Sequence, residues 1–276
     1  MDNRLLTVID HAVSKESFNL IYDSDLDMLR TDPVPDSTAI SRYYESADYI
    51  SHTDSKDGFF ERVYRLVRRY TIARKLQLIK KESQKGSLLD IGAGTANFVY
   101  YAQKKGWDAV GIEPNKSARN VAQAKGVFLR KSTAAIADAS QEVITMWHVL
   151  EHVSNFDQQI EELRRLLKPD GVIFVAVPNF KSYDATYYCA FWAGYDVPRH
   201  LSHFSRKSIK QVFEQHDMKV KKCFPMCFDA YYVSLLSEKY KTGRMHPRAF
   251  FIATWSNIKA IFTGEYSSLI YIIRNK

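Results

Sequence analysis

From Ser87 to Val177 the chain alternates short apolar runs with stretches whose apolar positions recur at three- and four-residue spacing. The runs predict strands at Ser87–Ile91, Ala109–Ile112, Val127–Leu129, Val143–Met146 and Val172–Val177. The clearest helical pattern, Asp157–Leu167, is stopped and turned by Lys168-Pro169-Asp170-Gly171. Strands alternating with helices predict βαβ units and a parallel sheet. The run VIFVAV at 172–177 is apolar throughout, as a strand buried on both faces requires.

On either side the pattern loosens. Residues 1 to about 82 show no strand–helix alternation. They hold a turn-rich piece, Thr31 to Asp36, an aromatic segment with Tyr43, Tyr44 and Tyr49, and a long amphipathic helix from about Gly58 to Lys81. Phe59, Val63, Val67, Tyr70, Ile72 and Leu76 are expected to form that helix's apolar face. Beyond Asn179 come a His-rich irregular segment, a helix at Ser208–His216 and a strand at Val220–Cys227. Helical patterns over about 229–241 and 247–262 follow, then a terminal strand at Leu269–Ile273. The expected organisation is an N-terminal lid and helical region, 1–82, ahead of an α/β domain, 83–276, with a helical insertion over about 229–267. Within it Phe251, Trp255, Ile258 and Phe262 recur as one apolar stripe. Covering the sheet or pocket is its first expected role. A partner or membrane-surface contact is the second, given Arg244, Arg248 and Lys259 nearby.

Composition narrows the classes. A chain of 276 residues, 46% hydrophobic and 25% charged, is ordinary for a globular α/β domain with additions. No apolar run approaches the roughly 18 residues of a membrane span, and the N-terminus lacks a signal-peptide pattern. Three cysteines, at 189, 223 and 227, form neither a disulfide framework nor a CxxC motif, so a cytoplasmic protein with reduced thiols is expected. The net charge of +8 suits either solubility or an anionic partner such as nucleic acid, a phosphorylated compound or an anionic membrane surface. No recognised nucleic-acid module accompanies it, and the run Arg62, Arg65, Arg68, Arg69, Arg74, Lys75 reads as a solvated helix face. The oligomeric state stays open.

The candidate chemistry begins at LLDIGAGTANF, Leu88–Phe98, an apolar strand entering a glycine-rich turn and then a helix. Gly92 and Gly94 permit backbone angles closed to other residues and let a ligand approach the main chain. The helix that follows points free N–H groups into the turn. Asp90, at the strand end, suits a ligand's cationic amino group. Glu113 ends the next strand, where an acid accepts hydrogen bonds from ribose hydroxyls. The dinucleotide fingerprint GxGxxG is broken, because Asn97 stands where its third glycine belongs.

With EVITMWHVLEHV (Glu142–Val153) and ELRRLLKPDGVIFVAVPN (Glu162–Asn179) added, the sequence resembles class I methyltransferases. It is most similar to the branch of the ubiquinone-biosynthesis O-methyltransferases and their uncharacterised bacterial relatives, over about Leu88 to Ser205. The resemblance implies a Rossmann-like, seven-stranded, mostly parallel sheet with an antiparallel last strand and helices on both faces, and S-adenosyl-L-methionine as cofactor. It places Asp90, Gly92, Ala93 and Gly94 at the methionine part, with Asn97 and Phe98 following. Glu113 and Pro114 fall at the ribose, Ser132 and Thr133 at the adenine, and Trp147 and His148 across the fourth strand. Ala96 stands where the family often has a third glycine, and Asp138 is the only acid in the 131–140 loop.

Transfer from a sulfonium is an in-line displacement, so the enzyme aligns and desolvates the acceptor, and a base helps a protonated oxygen or nitrogen. His152, His148 and Glu151 are the candidate catalytic residues, with His152 first as base. Their HxxEH spacing also matches a zinc pattern, but that pattern needs a helix and this segment leaves a strand. No metal is expected. Asn179, Arg199, His200 and His203 are candidate acceptor-binding residues, and Tyr43, Tyr44 and Tyr49 a lid. The leading expectation is O-methylation of a small or lipid-linked acceptor of quinone-precursor or sugar type. An N- or RNA-directed methyltransferase and a non-catalytic cofactor-binding scaffold are the alternatives.

Overall fold

The computed structural model describes residues 4–36, 39–44 and 59–276. Six strands build the central sheet: β4 (Ser87–Ile91), β5 (Asp108–Ile112), β6 (Gln141–Trp147), β7 (Leu167–Pro178), β9 (Met218–Pro225) and β10 (Ser268–Asn275). Their order is β5-β4-β6-β7-β10-β9. The first four run parallel, and β10 lies antiparallel to both of its neighbours. Alternate residues of these strands part to opposite faces, as a pleated strand dictates. Leu89, Ile91, Ile144, Met146, Ile173 and Val175 enter one core, with the helix α4 (Phe156–Leu166). Leu88, Val143, Val172, Phe174 and Ile272 enter the other, under α1 (Phe59–Glu82) and α2 (Asn97–Lys104). The fold is a Rossmann-like α/β sandwich.

Three expectations need correction. The seventh strand expected at Val127–Leu129 is reduced to one parallel bridge, Ile112 to Arg130, because Gly126 and the turn after Leu129 leave too short a run to pair. The segment ahead of α1 carries a three-stranded antiparallel meander, β1 (Arg4–Ile9), β2 (Ser17–Asp23) and β3 (Met28–Asp32). Its outer strand β3 pairs with β8 (Ser202–His203), and its core includes Phe180, Tyr188, Trp192 and Val197 from beyond β7. On α1, Leu76 and Ile79 are buried, whereas Tyr70, expected on the apolar face, is exposed.

The insertion forms two helices, α7 (Cys227–Thr242) and α8 (Arg248–Thr263). Here the expected packing is inverted. Ala249, Ala253, Ser256 and Ala260 face inward, and the stripe of Phe251, Trp255, Ile258 and Phe262 faces outward. Small side chains let α8 lie close against its neighbours, which leaves the large ones outside.

Candidate functional site

The C-terminal ends of the adjacent parallel strands β4, β5 and β6 lie side by side, at the edge where open parallel sheets gather ligands. Asp90 is buried there and accepts a 2.6 Å hydrogen bond from the Thr145 hydroxyl of β6. Burial pushes its carboxyl up to about 7, opposed by that hydrogen bond and by Lys75. The chain then turns at Gly92, whose φ is +72°; a Cβ there would meet the Val149 side chain at 2.3 Å. Gly92 and Ala93 both donate their N–H groups to the Ile112 carbonyl. At Gly94, φ is +53° and no atom lies within 4 Å of where a Cβ would sit, so its backbone borders open space.

Glu113 closes this turn. One of its oxygens accepts from the Gly94 N–H and the other from the Asn115 N–H, both at 2.8 Å. A carboxylate offers about four lone pairs, so two remain for ligand hydroxyls. Asn97 opens α2 and bonds Thr95, and Pro114 is exposed beside Glu113. Ala96 adopts the left-handed conformation, φ 61°, directly before α2. For a residue with a Cβ that conformation costs about 1–2 kcal/mol.

Trp147, at the end of β6, packs edge-on to Phe98 with ring centroids 5.5 Å apart. Its buried indole N–H has no partner, and an orphaned buried donor is the kind of group that a ligand satisfies. The Lys75 ammonium sits 4.3 Å from the same ring. Burial lowers its pKa, while Asp229 and Asp90 pull it back up. Lys75 is therefore the inward member of the basic run read as solvated, and the sequence analysis missed it. Ser132, expected at the adenine, is exposed, and Thr133 is half-buried. Asp138 is bound to Arg165.

His148 has φ 57°, and this turn aims its ring between two acids. Nδ1 lies 3.4 Å from Glu151 and Nε2 lies 3.1 Å from Asp229. Burial opposes the charge, but the two carboxylates overcome it and raise the imidazole to about 9. A doubly paired imidazolium has no lone pair to offer, so His148 is not a base. Asp229, in the first turn of α7, is the second residue the sequence analysis missed. As the sole acid between Asp217 and Glu238, opening the insertion's first helix, it left a faint signal.

Glu151 is buried, and ion pairing with His148 holds it ionised against its burial. His152 directs Nδ1 to the Arg199 carbonyl at 2.9 Å. A carbonyl only accepts, so Nδ1 carries the proton and Nε2 is the basic nitrogen. Burial, reinforced by His200, lowers this histidine to about 4, so it is neutral at pH 7. One ligand atom each from Glu151, His152 and His200 lies within 4.8 Å of the others, a donor set suited to a divalent cation. His200 reaches that cluster from a distant segment, which the spacing of the nearer pair does not reveal.

The remaining acceptor-side expectations are corrected by burial. Arg199 is 1% exposed; its guanidinium is consumed by Asp10, Asp196 and the Tyr43 carbonyl. His203 is buried against the Thr31 hydroxyl, and burial holds it neutral. His200 is also buried, with Nδ1 at the Gly194 carbonyl. Asn179 spends its amide on Glu265, Tyr266 and Lys181. These groups shape the wall behind the cluster, where His200's second nitrogen lies 4.0 Å from the Asp196 carboxylate. Tyr44 enters only as backbone in a short helical turn, and Tyr49 lies outside the described residues.

Residues 64–222, more than half of the chain, match a family profile described as a methyltransferase domain. The ubiquinone biosynthesis O-methyltransferase of Histophilus somni is 32% identical over 38% of this chain and 51% of its own length. The protein of the same description from Actinobacillus pleuropneumoniae is 30% identical over 55% and 72%. The chain thus spans about half the length of the Histophilus relative. Among solved structures, a Thermotoga maritima protein described as a possible histamine N-methyltransferase superposes with a TM-score of 0.52 at 21% identity. That match covers 79% of this chain and 98% of the other. A putative sarcosine dimethylglycine methyltransferase from Galdieria sulphuraria gives 0.52 at 13%, covering 76% and 85%. These two likenesses concern the fold. With the profile spanning both the glycine-rich turn and the Trp147–His152 segment, the chain belongs to the class I, S-adenosylmethionine-dependent methyltransferase family.

Proposed function

We propose that this protein methylates an oxygen of a small or lipid-linked acceptor, taking the methyl group from S-adenosylmethionine. One observation carries the cofactor half: the Gly94 N–H to Glu113 hydrogen bond ties the glycine-rich turn and the ribose acid into one cradle, with the orphaned Trp147 N–H at its edge. The residues fit the cofactor's chemistry. Asp90 suits the ammonium of its methionine part, Glu113 the ribose hydroxyls, and Ser132 with Thr133 the adenine rim. Bound there, the cofactor supplies an electrophilic methyl on a sulfonium.

The acceptor half rests on His152 and the quinone-type relatives. A neutral imidazole with its basic Nε2 opposite a carbonyl-bound Nδ1 is the correct tautomer to take an acceptor's proton. The adjacent Glu151 carboxylate stabilises the imidazolium that forms. His148, held between Glu151 and Asp229, fixes the turn from which both project. The test is transfer of labelled methyl to a panel of phenol, catechol, sugar and amine acceptors. His152→Ala is expected to lower transfer to a hydroxyl acceptor by about 10²–10⁴-fold while cofactor affinity holds. An unchanged rate removes His152 as base, and label on amines alone reassigns the acceptor to nitrogen.

A further inference from the structure

We infer that the outer face of the α7–α8 hairpin docks the protein onto an anionic lipid surface. Six large apolar side chains of α8 face water: Phe250, Phe251, Trp255, Ile258, Ile261 and Phe262, with Phe251 75% and Phe262 87% exposed. At 100° per residue they span an arc of about 140°. Exposed Phe228 on α7 extends the surface, and its ring meets that of exposed Tyr70 on α1 at 5.6 Å. The two helices are joined along their shared edge: Asn257 donates to the Cys227 carbonyl, and the Tyr231 and Thr254 hydroxyls lie 3.2 Å apart. Patches of this extent on a soluble fold mark an interaction surface.

Charge selects the occupant. From Lys239 to Gly264 the chain carries Lys239, Lys241, Arg244, Arg248 and Lys259 and no Asp or Glu. Lys239, Lys241, Arg244 and Arg248 cluster at the hairpin tip and are exposed. Of these, Arg248 is paired to Glu238. Two copies meeting through this face would bring like charges together, which is costly. A bilayer surface with anionic headgroups satisfies the apolar and cationic parts at once. At 16 residues α8 measures about 24 Å, short of the roughly 30 Å hydrocarbon core, so it lies in the interface. Among the described residues, no helix is long and apolar enough to cross a membrane. The docking face stands independently of the methyl-transfer reading, although Asp229 at the start of α7 ties the hairpin to His148.

Flotation of the full chain with phosphatidylcholine vesicles, with and without about one-third phosphatidylglycerol, tests this. Binding is expected only with the anionic lipid, weakened by salt, and accompanied by a blue shift of fluorescence that Trp255→Phe removes. The pair F251S/F262S is expected to cut the bound fraction by roughly tenfold with an unchanged melting temperature, because both side chains project into solvent. K241E/R244E should act in the same direction. Absence of binding to anionic vesicles, or equal binding by F251S/F262S, overturns the inference. Concentration-dependent dimerisation abolished by F251S/F262S, without vesicle binding, would instead give this face to a second copy.

Discussion

Asp90 shows how a single carboxyl can record what a site is built to hold. Buried at a strand end with one hydroxyl donor, it is held near 7, a state that costs the apoprotein its charge at neutral pH. A cationic ligand group would restore that charge, so binding must release a proton. The sign follows: affinity for S-adenosylmethionine peaks between the Asp90 value near 7 and the ligand ammonium's value of about 8, and it falls above that as the ammonium deprotonates. Below pH 7 it falls by up to about tenfold per unit, as the carboxyl protonates. Titrations across pH 5–9 should show that slope, and Asp90→Asn should flatten it while weakening binding throughout. A pH-independent affinity in the native chain would mean that Asp90 does not meet the ammonium. The sequence exposed the glycines because the turn's positive φ angles require them, and Asp90 and Glu113 because each is an acid at the end of an apolar strand. It did not expose the charge state of His148, because that depends on Asp229, which arrives from the far side of β9.

At the scale of elements, period and composition located most strands and helices of the sheet to within about two residues; the exceptions are the absent strand at Val127–Leu129 and β7, which begins at Leu167 and takes in the Lys168–Gly171 segment read as a turn. Orientation was less legible. The large residues of α8 form a stripe at helical spacing, which ordinarily means the buried side, yet the small residues opposite are the ones that pack. Spacing identifies a face; it does not say what covers it. The contrast is measurable. Ala253→Leu, placing three more carbons where the side chain has no exposure, should destabilise by about 1–3 kcal/mol. Phe262→Ser on the outer face should change stability by no more than about 0.5 kcal/mol. Denaturant midpoints that reversed this order would show that the stripe is the packed face. The N-terminal meander was missed for a related reason. Its strands complete their core only with Phe180, Tyr188 and Trp192, which lie far along the chain.

For the whole molecule, Arg199 is the residue that joins the parts. From the loop after β7 it reaches Asp10 of the N-terminal sheet, the carbonyl of Tyr43 and its own neighbour Asp196. Read from sequence, it belonged to a His-rich acceptor segment; in the fold, it is a buried clamp. Breaking one member of such a network leaves uncompensated buried charge, so Arg199→Met should lower unfolding free energy by about 3–5 kcal/mol. A loss below about 1 kcal/mol would show that the N-terminal sheet is held by its apolar core alone. The clamp sits behind the Glu151–His152–His200 cluster, so the same residue that fastens the meander also sets the tautomer of His152 through its carbonyl.

The central claim is the cofactor cradle, and calorimetric titration of the purified chain tests it most directly. S-adenosylmethionine, S-adenosylhomocysteine and NAD would be titrated in parallel, with Glu113→Ala alongside. Saturable one-site binding of both sulfur nucleosides, none of NAD, and a loss of at least about tenfold in Glu113→Ala is the predicted result. Failure of the native chain to bind either sulfur nucleoside would contradict the account and leave a methyltransferase fold without its cofactor.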